Sequence, residues 1–420
     1  MGSKPLAVAF SGGGDSTALL SLVLKWSKAR PVHALIIDHG LRPGSAKEAK
    51  LAQSRAHNMG AKVHILQCDW AGNIPKTGIQ EKARNMRYEV LGKACRELGV
   101  ETLLLGHNED DQAETILMRK NAGSGWRGLA GIKPKSRAPI WPALQGLDIV
   151  RPILSCGRLE LRSFNKNRYL QWIDEPSNSD PTFARIRARE YLAKNENHRQ
   201  NLLMIAKAAS VTLEQEQKLI SSFIHGSTII YEWGGLSLLP KFRAGKSGQI
   251  AESLRYLLPA ISGETLPPSY EKRATLARKL RSPVFTGTTL GGVRFVPHGD
   301  NILCVRDLGS ISGRANVQAL LPMPLEQAKS SIWNGRFAVS SGHDDIYVDA
   351  LANWEQILDK WQQSLLKSLP EPMRGGLPVF IQDKRIAYIP FVGFPANKHN
   401  FKARSLLFER LAALLGDLYR

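Results

Sequence analysis

The feature that most constrains the fold is a glycine-rich stretch between an apolar run and a helix-like run. It spans residues 11–16 and directly follows the apolar residues 6–10. A strand, a glycine loop and a helix in this order surround one small anion, usually a phosphate, with backbone N–H groups and a helix N-terminus. The candidate donors are Ser11, Gly12, Gly13, Gly14 and Ser16. Asp15 of the same loop is suited to help hold Mg²⁺ beside the phosphates.

Two commoner glycine loops are excluded by the residues at their key positions. A Walker loop requires a lysine after its last glycine, whereas Asp15 follows Gly14 here, and no such motif occurs elsewhere. A dinucleotide-binding loop that started at Gly12 would need a glycine where Thr17 stands. A plain glycine-rich turn is the remaining alternative, and the position at the first strand–helix junction argues against it.

The first part of the chain alternates between strand-like and helix-like runs. The strand-like runs are mostly apolar throughout, as expected for strands that are covered on both faces. They are residues 6–10, 32–38, 62–68 and 101–107, with helix-like runs at 15–28, 45–59 and 80–98 between them. This order predicts a doubly wound parallel α/β sheet, which binds ligands at the C-terminal ends of its strands. The glycine loop, Asp38 with His39, and residues 107–111 all follow strand ends, so we expect them to converge on one crevice.

A second group of polar residues follows the fourth strand-like run. If a helix begins at Asp110, Asp111 and Glu114 lie three residues apart on one face, and His107 lies on the loop before them. Two carboxylates that face one crevice repel each other and need a cation, which is a metal, an ammonium ligand or an arginine. A solvated acidic helix start explains the spacing equally well. The converging glycine loop favours the functional interpretation.

The charge of the chain indicates a polyanionic partner. Lys+Arg 57 against Asp+Glu 37 give a formal net charge of +20, and the pI is about 9.9. An excess of this size favours nucleic acid over a membrane as the partner. The alternative is a basic surface that binds no partner.

The cysteines show no zinc spacing and are expected to be reduced thiols; they are Cys68, Cys95, Cys156 and Cys304. No signal peptide or long apolar run is apparent, so we expect a cytoplasmic protein without a membrane partner.

The length of the chain, 420 residues, exceeds what one typical core accommodates. We predict an α/β catalytic domain over residues 1–190, a helical connector with a first smaller α+β domain over 191–310, and a second smaller domain over 311–420. The last boundary rests on the polar, glycine-containing residues 309–314. Residues 378–390 are typical of a hairpin.

The motifs together resemble a known family. The loop S-G-G-G-D-S resembles the pyrophosphate loop, S-G-G-x-D-S, of the ATP pyrophosphatases. The whole pattern resembles the tRNA(Ile)-lysidine synthetases, which carry an H-x-x-D-D-Q-x-E-T block and an R-G-S-G-x-x-G-L-x-G motif, here residues 107–115 and 122–131. Further matches are D-H-G-L-R at 38–42, A-R-x-x-R-Y with Arg84 and Arg87, and D-E-P-S-N at 174–178 with Asp180. The motif matches are frequent over residues 6–190, and beyond these residues the resemblance is only general.

Two positions depart from the family pattern. Ala122 stands where the family has the first arginine of R-G-S-G, and Ile186 follows Arg185 where the family has R-N. An interaction with RNA or substrate is therefore either missing or supplied by a neighbour such as Lys120 or Arg187.

The resemblance implies a two-step ligation. ATP adenylates the C2 oxygen of the wobble cytidine in an isoleucine tRNA with a CAU anticodon, and the ε-amine of L-lysine then attacks C2 to form lysidine. It implies that the glycine loop holds pyrophosphate, that Asp15 with Asp38 positions Mg²⁺, and that Asp111 and Glu114 bind lysine or accept its proton. His107 either assists or is a buried histidine bonded to a carbonyl. Arg84 and Arg87 reach phosphate or the lysine carboxylate, or they pair with Glu81 or Glu109. A homodimer is left open.

The basic residues supply the candidate RNA contacts. They are Arg127, Lys133 and Lys135 after the acidic block, and Lys272, Arg273, Arg278 and Lys279 in a predicted helix over Tyr270–Arg281. One such helix is more often a solvated face, but the net charge favours phosphate contacts for at least one cluster, with the last domain assigned to tRNA. Trp126 and Trp141 are candidates for stacking on an extruded cytosine, and an ordinary core role is the alternative for each.

Three other functions are weighed against lysine ligation. A tRNA thiolase of the same superfamily would need paired or positioned cysteines to carry sulfur. An amidotransferase-type synthetase would usually need a glutaminase domain or partner. A non-enzymatic tRNA-binding protein would keep the charge but lose Asp15, Asp111 or Glu114, all of which are present.

Overall fold

The structure of the protein is a computed structural model. It describes residues 4–28, 30–40, 44–70, 79–173, 184–313, 319–392 and 400–416. Leu41, Arg42, the D-E-P-S-N stretch at 174–178, Asp180 and Arg314, which carried parts of the predictions above, lie outside these residues. The chain divides into two compact units, residues 1–216 and 217–420. The predicted division into three domains, with boundaries at 190 and 310, stays a prediction.

The first unit is built on a six-stranded sheet in the order β3-β2-β1-β4-β6-β5. The strands are β1 Leu6–Ala9, β2 Val32–Asp38, β3 Lys62–Gln67, β4 Thr102–Leu104, β5 Lys135–Arg137 and β6 Asp148–Val150. All neighbouring pairs are parallel except β5 with β6. Residues of β1 are buried at every position, as the uniformly apolar run predicts for a central strand covered on both faces.

Helices cover both faces of this sheet. They are α1 Gly14–Ser27, α2 Ser45–Asn58, α3 Ile79–Glu97, α4 Glu109–Asn121, α5 Trp126–Leu129, α6 Arg158–Asn167, α7 Ala184–Lys194 and α8 Glu196–His225, the last of which spans the boundary between the units. One core joins Leu19 of α1, Ala52 of α2 and Leu161 of α6. A separate core contains Leu91 and Cys95 of α3. This arrangement confirms the predicted doubly wound α/β fold.

Within its described residues, the second unit contains three antiparallel sheets. A five-stranded sheet has the order β7-β8-β11-β10-β9, a four-stranded sheet the order β12-β15-β16-β17, and a three-stranded sheet the order β13-β14-β18. The strands are β7 Thr228–Ile230, β8 Leu236–Leu238, β9 Thr288–Leu290, β10 Val293–His298, β11 Asn301–Arg306, β12 Met323–Pro324, β13 Ser331–Trp333, β14 Phe337–Ser341, β15 Tyr347–Ala350, β16 Pro378–Gln382, β17 Arg385–Tyr388 and β18 Phe401–Ser405. The predicted hairpin at 378–390 corresponds to β16 and β17, which pair antiparallel.

The helices of the second unit pack against one another and against the sheets. They are α9 Pro240–Ala244, α10 Ser247–Ser262, α11 Tyr270–Arg281, α12 Lys360–Leu366, α13 Glu371–Arg374 and α14 Leu407–Leu415. Leu411 of α14 lies in one core with Leu254 of α10 and Phe295 of β10, so the last helix completes a core that begins near residue 220. In the part of the chain that the structure describes, no helix is both long and apolar enough to span a membrane.

Candidate active site

The glycine loop lies between β1 and α1, where the sequence predicts it. Gly13 immediately precedes α1, and Ser16 Oγ donates a hydrogen bond to Gly13 O at 2.9 Å. The hydroxyls of Ser11 and Ser16 are 3.2 Å apart. The loop therefore places two hydroxyls and the first N–H groups of a 14-residue helix around one point, which is the arrangement that binds a phosphate.

The packing around the loop requires glycine at two positions. Gly12 has a φ of +81°, and a Cβ there would lie 2.9 Å from Ile173 Cδ1. A Cβ on Gly106, at the end of the fourth strand, would lie 3.3 Å from Ser16 N. Ile173 N donates to Gly12 O at 2.8 Å, and Asn165 Nδ2 donates to Gly14 O at 2.8 Å. The loop is thus held from behind by residues distant in sequence.

The N-terminus of α4 sets the direction of the acidic residues. Asn108 Oδ1 accepts from Asp111 N at 2.8 Å, and Asp111 Oδ2 accepts from Asn108 N at 3.1 Å, which forms a reciprocal capping box. The helix begins at Glu109, one residue before the predicted start. Asp111 and Glu114 lie on the same side of the helix, as their three-residue spacing predicts.

Three arginines neutralise these two carboxylates. Glu114 is 1% exposed and accepts hydrogen bonds at 2.8 Å from both Arg185 Nε and Arg189 Nε. Asp111 Oδ1 lies 3.2 Å from Arg185 Nη2 and 3.3 Å from Arg158 Nη2. Of the three cations that the sequence left open, arginine is therefore the one that the structure supplies. We call Asp111, Glu114, Arg158, Arg185 and Arg189 the arginine–carboxylate cluster.

A cavity of 810 Å³ connects the glycine loop to this cluster. It is lined by Ser11, Gly13, Gly14, Asp15, Ser16, His39, Arg87, His107, Asp111, Arg158, Arg162, Arg185 and Arg189 among others. Asp15 Oδ2 lies 3.9 Å from Arg158 Nε. Burial raises the pKa of Asp15, Arg158 opposes that rise, and Asp111 adds to it. The loop and Asp111 thus face the same space, whereas Glu114 lies behind it.

His107 is a neutral residue of the cavity wall. Burial, and then Arg151, Arg87 and Arg185, lower its pKa to about 3. Its Nδ1 atom is buried and makes no hydrogen bond to any residue that the structure describes, so the carbonyl-bonded alternative does not hold for that nitrogen. Arg87 Nε is likewise buried without a hydrogen-bond partner among the described residues. Both residues line the cavity with other atoms, while these two nitrogens are buried in its wall.

Asp38, the second metal candidate, does not line the cavity. Its Oδ1 accepts a hydrogen bond from Gly40 N at 3.0 Å, and the side chain is 9% exposed. It is absent from the cavity lining and from the charges that shift the pKa of Asp15. Among the described residues no group of three or more His, Cys, Asp or Glu side chains could hold a metal by itself.

The basic residues that follow α4 are engaged with carboxylates. Arg127 Nε donates to Glu216 Oε2 at 2.9 Å, and its guanidinium lies 4.6 Å from the centre of the Trp126 ring. Lys135 Nζ lies 3.4 Å from Asp148 Oδ2. Burial lowers the pKa of Lys133, and Glu214 opposes this shift. Trp141 is 4% exposed, which fits the core alternative, whereas Trp126 is 40% exposed.

The predicted helix over Tyr270–Arg281 is α11, with the predicted bounds. Lys272, Arg278 and Lys279 are exposed on it. Arg273 requires a correction, because it is 2% exposed and turned into the unit. Its Nη1 donates to Ala251 O at 2.6 Å and lies 3.6 Å from Glu252 Oε1. Arg273 lies on the buried face of α11, and its hydrogen bond to Ala251 O connects α11 to α10. It is therefore not placed to contact RNA.

Sequence reasoning missed the partners of the acidic residues. Arg158 and Arg189 come from α6 and α7, 44 and 75 residues from Glu114. Asn165, which holds Gly14, was missed as well. The available signal was the acidic pair Asp111 and Glu114 together with arginine-containing helices later in the chain. Sequence spacing alone cannot tell which of the many arginines contact this pair.

Comparison with known proteins agrees with these features. The family model described as the PP-loop domain matches residues 1–196. The tRNA(Ile)-lysidine synthase of Hyphomonas neptunium is 35% identical over 322 residues, which cover 73% of this chain and 83% of that protein. The proteins of the same name from Caulobacter vibrioides and Wolbachia pipientis wMel are 30% and 31% identical, covering 90% and 80% of this chain and 84% and 77% of theirs.

Proposed function

The chain belongs to the tRNA(Ile)-lysidine synthase family, and on this premise we propose how its residues perform that reaction. The reaction joins the ε-amine of L-lysine to C2 of the wobble cytidine in the CAU-anticodon isoleucine tRNA. It passes through an adenylated tRNA and converts ATP to AMP and pyrophosphate. The observation that carries the assignment is the cavity shared by the glycine loop and Asp111. We place the reaction in the cytoplasm, where its substrates meet.

The glycine loop binds the pyrophosphate that leaves ATP. Negative charge develops on this group as the C2 oxygen of cytidine attacks the α-phosphate. The helix fixes the N–H groups at the start of α1, and the hydroxyls of Ser11 and Ser16 lie 3.2 Å apart in the same loop, with that of Ser16 donating to Gly13 O. Donors that are fixed before the reaction stabilise the developing charge without reorganisation.

Asp15 is the residue suited to hold Mg²⁺. Mg²⁺ usually binds one or two carboxylates together with substrate phosphates and waters. Asp15 lines the cavity, and Asp111 and Asp110 nearby add to the rise of its pKa, so a divalent cation would relieve that repulsion. When bound, the ion would neutralise charge on the phosphates. Asp38 would take part through Oδ2, because its Oδ1 accepts the bond from Gly40 N.

Asp111 receives the amine of lysine. It lines the cavity, whereas Glu114 does not, and its side chain is 14% exposed against 1% for Glu114. An ammonium group that enters beside Asp111 replaces part of its contact with Arg158 or Arg185 and transfers a proton to the Asp111 carboxylate before the amine attacks. Glu114 then has the role of holding Arg185 and Arg189, which shape the cavity wall.

His107 and Arg87 line the other side of the cavity. A histidine whose pKa is about 3 is neutral at pH 7 and is a poor acceptor for an ammonium proton. We assign it a hydrogen bond to a neutral substrate group. Arg87 carries the charge that suits a phosphate or the lysine carboxylate.

The exposed cations of the second unit are suited to the tRNA backbone. Lys272, Arg278 and Lys279 lie exposed along α11, and phosphate contacts by such residues position an RNA without reading its sequence. Lys133 and Lys135 of the first unit remain candidates for the same role, although Lys135 would have to share its bond with Asp148.

The cysteines argue against sulfur transfer. Burial raises the pKa of Cys95 to about 12, and burial also raises the pKa of Cys68 and Cys156. A sulfur carrier has to form a thiolate at neutral pH, which these environments oppose. The thiolase alternative therefore has no suitable nucleophile among these three cysteines.

The experiment that tests the function measures incorporation of labelled lysine into bacterial tRNA by the purified protein with ATP. We expect lysine-dependent formation of AMP and pyrophosphate and a labelled isoleucine tRNA. Asp15→Ala and Ser16→Ala should each lose nearly all turnover while tRNA binding persists, since both act on the nucleotide. Near-normal turnover in both variants would refute the role of the glycine loop, and transfer of sulfur instead of lysine would refute the function.

A further variant separates the two half-reactions. Asp111→Asn preserves shape but removes charge, so the ion pair with lysine becomes a weaker neutral hydrogen bond. This change should cost about 1.5–3 kcal/mol and raise the KM for lysine about tenfold or more. Pyrophosphate release without lysine, in a single turnover, should change much less. If adenylation were abolished with an unchanged KM for lysine, Asp111 would belong to the ATP site.

A further inference from the structure

An aromatic residue beside the glycine loop is displayed on the surface in an unfavourable backbone conformation. Tyr169 directly follows α6 and its cap, and it is 94% exposed. Its φ is +55°, in the left-handed region that favours glycine. Tyr169 N donates to Lys166 O, and Leu170 N donates to Asn165 O, which closes the end of the helix in the usual way. A glycine would close this turn with less strain, and the exposed ring buries almost nothing.

Both ends of the segment that carries Tyr169 are attached to the glycine loop. Four residues before it, Asn165 Nδ2 donates to Gly14 O at 2.8 Å. Four residues after it, Ile173 N donates to Gly12 O at 2.8 Å. Asn165 is fully buried, so this attachment is rigid. The backbone on both sides of Tyr169 is thus attached to the glycine loop.

The surface around Tyr169 is positively charged. Arg162, Lys166 and Arg168 are exposed on and after α6. Arg162 also lines the cavity, and the guanidinium of Arg168 lies 4.7 Å from the centre of the Phe164 ring. Three exposed cations within seven residues of one exposed ring are suited to an unpaired nucleic acid strand, because the cations contact phosphates while the ring stacks on a base.

We propose that Tyr169 stacks on an unpaired base of the anticodon loop of the tRNA substrate, with Arg162, Lys166 and Arg168 on the adjoining phosphates. The proposal rests on the proposed function, which brings a cytidine of that loop into the cavity. Stacking beside the cavity would hold the loop open while the target base enters. Tyr169 is accordingly a positioning residue for the RNA and has no part in the chemistry.

The test compares Tyr169→Ala with Tyr169→Phe and with the control Trp26→Ala. Trp26 is also an exposed aromatic residue, at 56%, with an arginine over its ring. It lies 12 residues along α1 from the loop, or about 18 Å. We expect Tyr169→Ala to weaken binding of an unmodified isoleucine tRNA transcript about tenfold or more, as removal of one stacking partner does. Tyr169→Phe and Trp26→Ala should bind like the parent protein, and the KM values for ATP and lysine should not change.

Tyr169→Gly separates recognition from folding. Glycine removes the ring and relieves the left-handed backbone, so Tm should stay equal or rise while tRNA binding falls as in Tyr169→Ala. A transcript with 5-iodouracil in its anticodon loop should crosslink to residue 169 in the parent protein and in Tyr169→Phe only.

Equal tRNA affinity of the parent protein, Tyr169→Ala and Trp26→Ala would overturn the inference. A fall in affinity that accompanies a lower Tm in both Ala and Gly variants would overturn it too. The binding measurements need no lysine, so they remain informative if lysine incorporation fails. In that case the proposed function falls, while the contact between Tyr169 and RNA is judged separately.

Discussion

Two basic regions of this protein look alike in sequence and differ completely in what their cations contact. Arg158 of α6 and Arg185 and Arg189 of α7 turn inwards, and Arg185 and Arg189 each bond at 2.8 Å to the buried Glu114. On α11, Lys272, Arg278 and Lys279 face solvent. The comparison teaches that the role of a cation depends on whether the fold brings a carboxylate to it, and this partner comes from a remote part of the chain.

The difference has an energetic consequence. A charge that is removed from water must be compensated by a partner, and removal of one partner then leaves the other uncompensated. An exposed cation contributes little to stability and stays available for phosphates. We therefore expect substitutions in the arginine–carboxylate cluster to change folding and substitutions of the exposed α11 cations to change binding.

The largest effect is expected for Glu114→Gln. This substitution removes the charge that three guanidiniums share in a nearly water-free position, so the free energy of unfolding should fall by about 3–5 kcal/mol. Urea unfolding measures the change. Glu196→Gln is the control, because its carboxylate is 62% exposed beside Arg199, and it should change stability by less than about 0.5 kcal/mol. Equal effects of both substitutions would remove the distinction between the regions.

The next largest effect tests the comparison within a single helix. Arg273→Met removes hydrogen bonds to Pro268 O and Ala251 O and the ion pair with Glu252, and should cost about 2–3 kcal/mol of stability. Its neighbour Lys272 is exposed, so Lys272→Met should leave stability within about 0.5 kcal/mol. Thermal unfolding of the two variants, one residue apart, measures the contrast. A stable Arg273→Met variant would show that this arginine is not a structural link.

A smaller effect is expected when the outward cations are reversed together. Changing Lys272, Arg278 and Lys279 to Glu should weaken tRNA binding about tenfold. It should also make binding less dependent on salt. The slope of the logarithm of the binding constant against the logarithm of the salt concentration should decrease in magnitude by about 0.7–0.9 for each phosphate that is no longer neutralised. The free energy of unfolding should hardly change. Filter binding across a range of salt concentrations checks the affinity and the slope, and an unchanged slope would show that α11 does not contact the tRNA backbone.

The last effect concerns the pH dependence of stability, through His107. Its pKa falls from 6.5 to about 3 on folding, so between these values the unfolded chain binds a proton that the folded chain does not. The contribution of His107 to the free energy of unfolding is therefore fully present above pH 6.5. It is lost as the pH falls from 6.5 towards 3, because the unfolded chain takes up the proton. His107→Gln should flatten this part of the curve. Urea unfolding at about pH 5 and pH 7 measures it, and an identical pH dependence in both proteins would contradict the burial of a neutral imidazole.

Much of the first unit follows from the chain itself. Apolar runs predicted β1 to β4, and the order of strand, glycine loop and helix predicted both the parallel sheet and the position of the loop. The spacing of Asp111 and Glu114 predicted one helix face. These predictions hold because they depend on the short-range periodicity of strands and helices and on the shared edge at which parallel strands end.

The tertiary structure decided which charges meet. The sequence could not tell Arg273, buried against α10, from Lys272 beside it, because one residue of rotation on a helix separates the buried face from solvent. It could not place Arg158 and Arg189 on Glu114 across 44 and 75 residues, nor show that Asp15 lines the cavity while Asp38 does not. Such pairings depend on long-range packing, where the cost of removing a charge from water selects partners that no local pattern encodes.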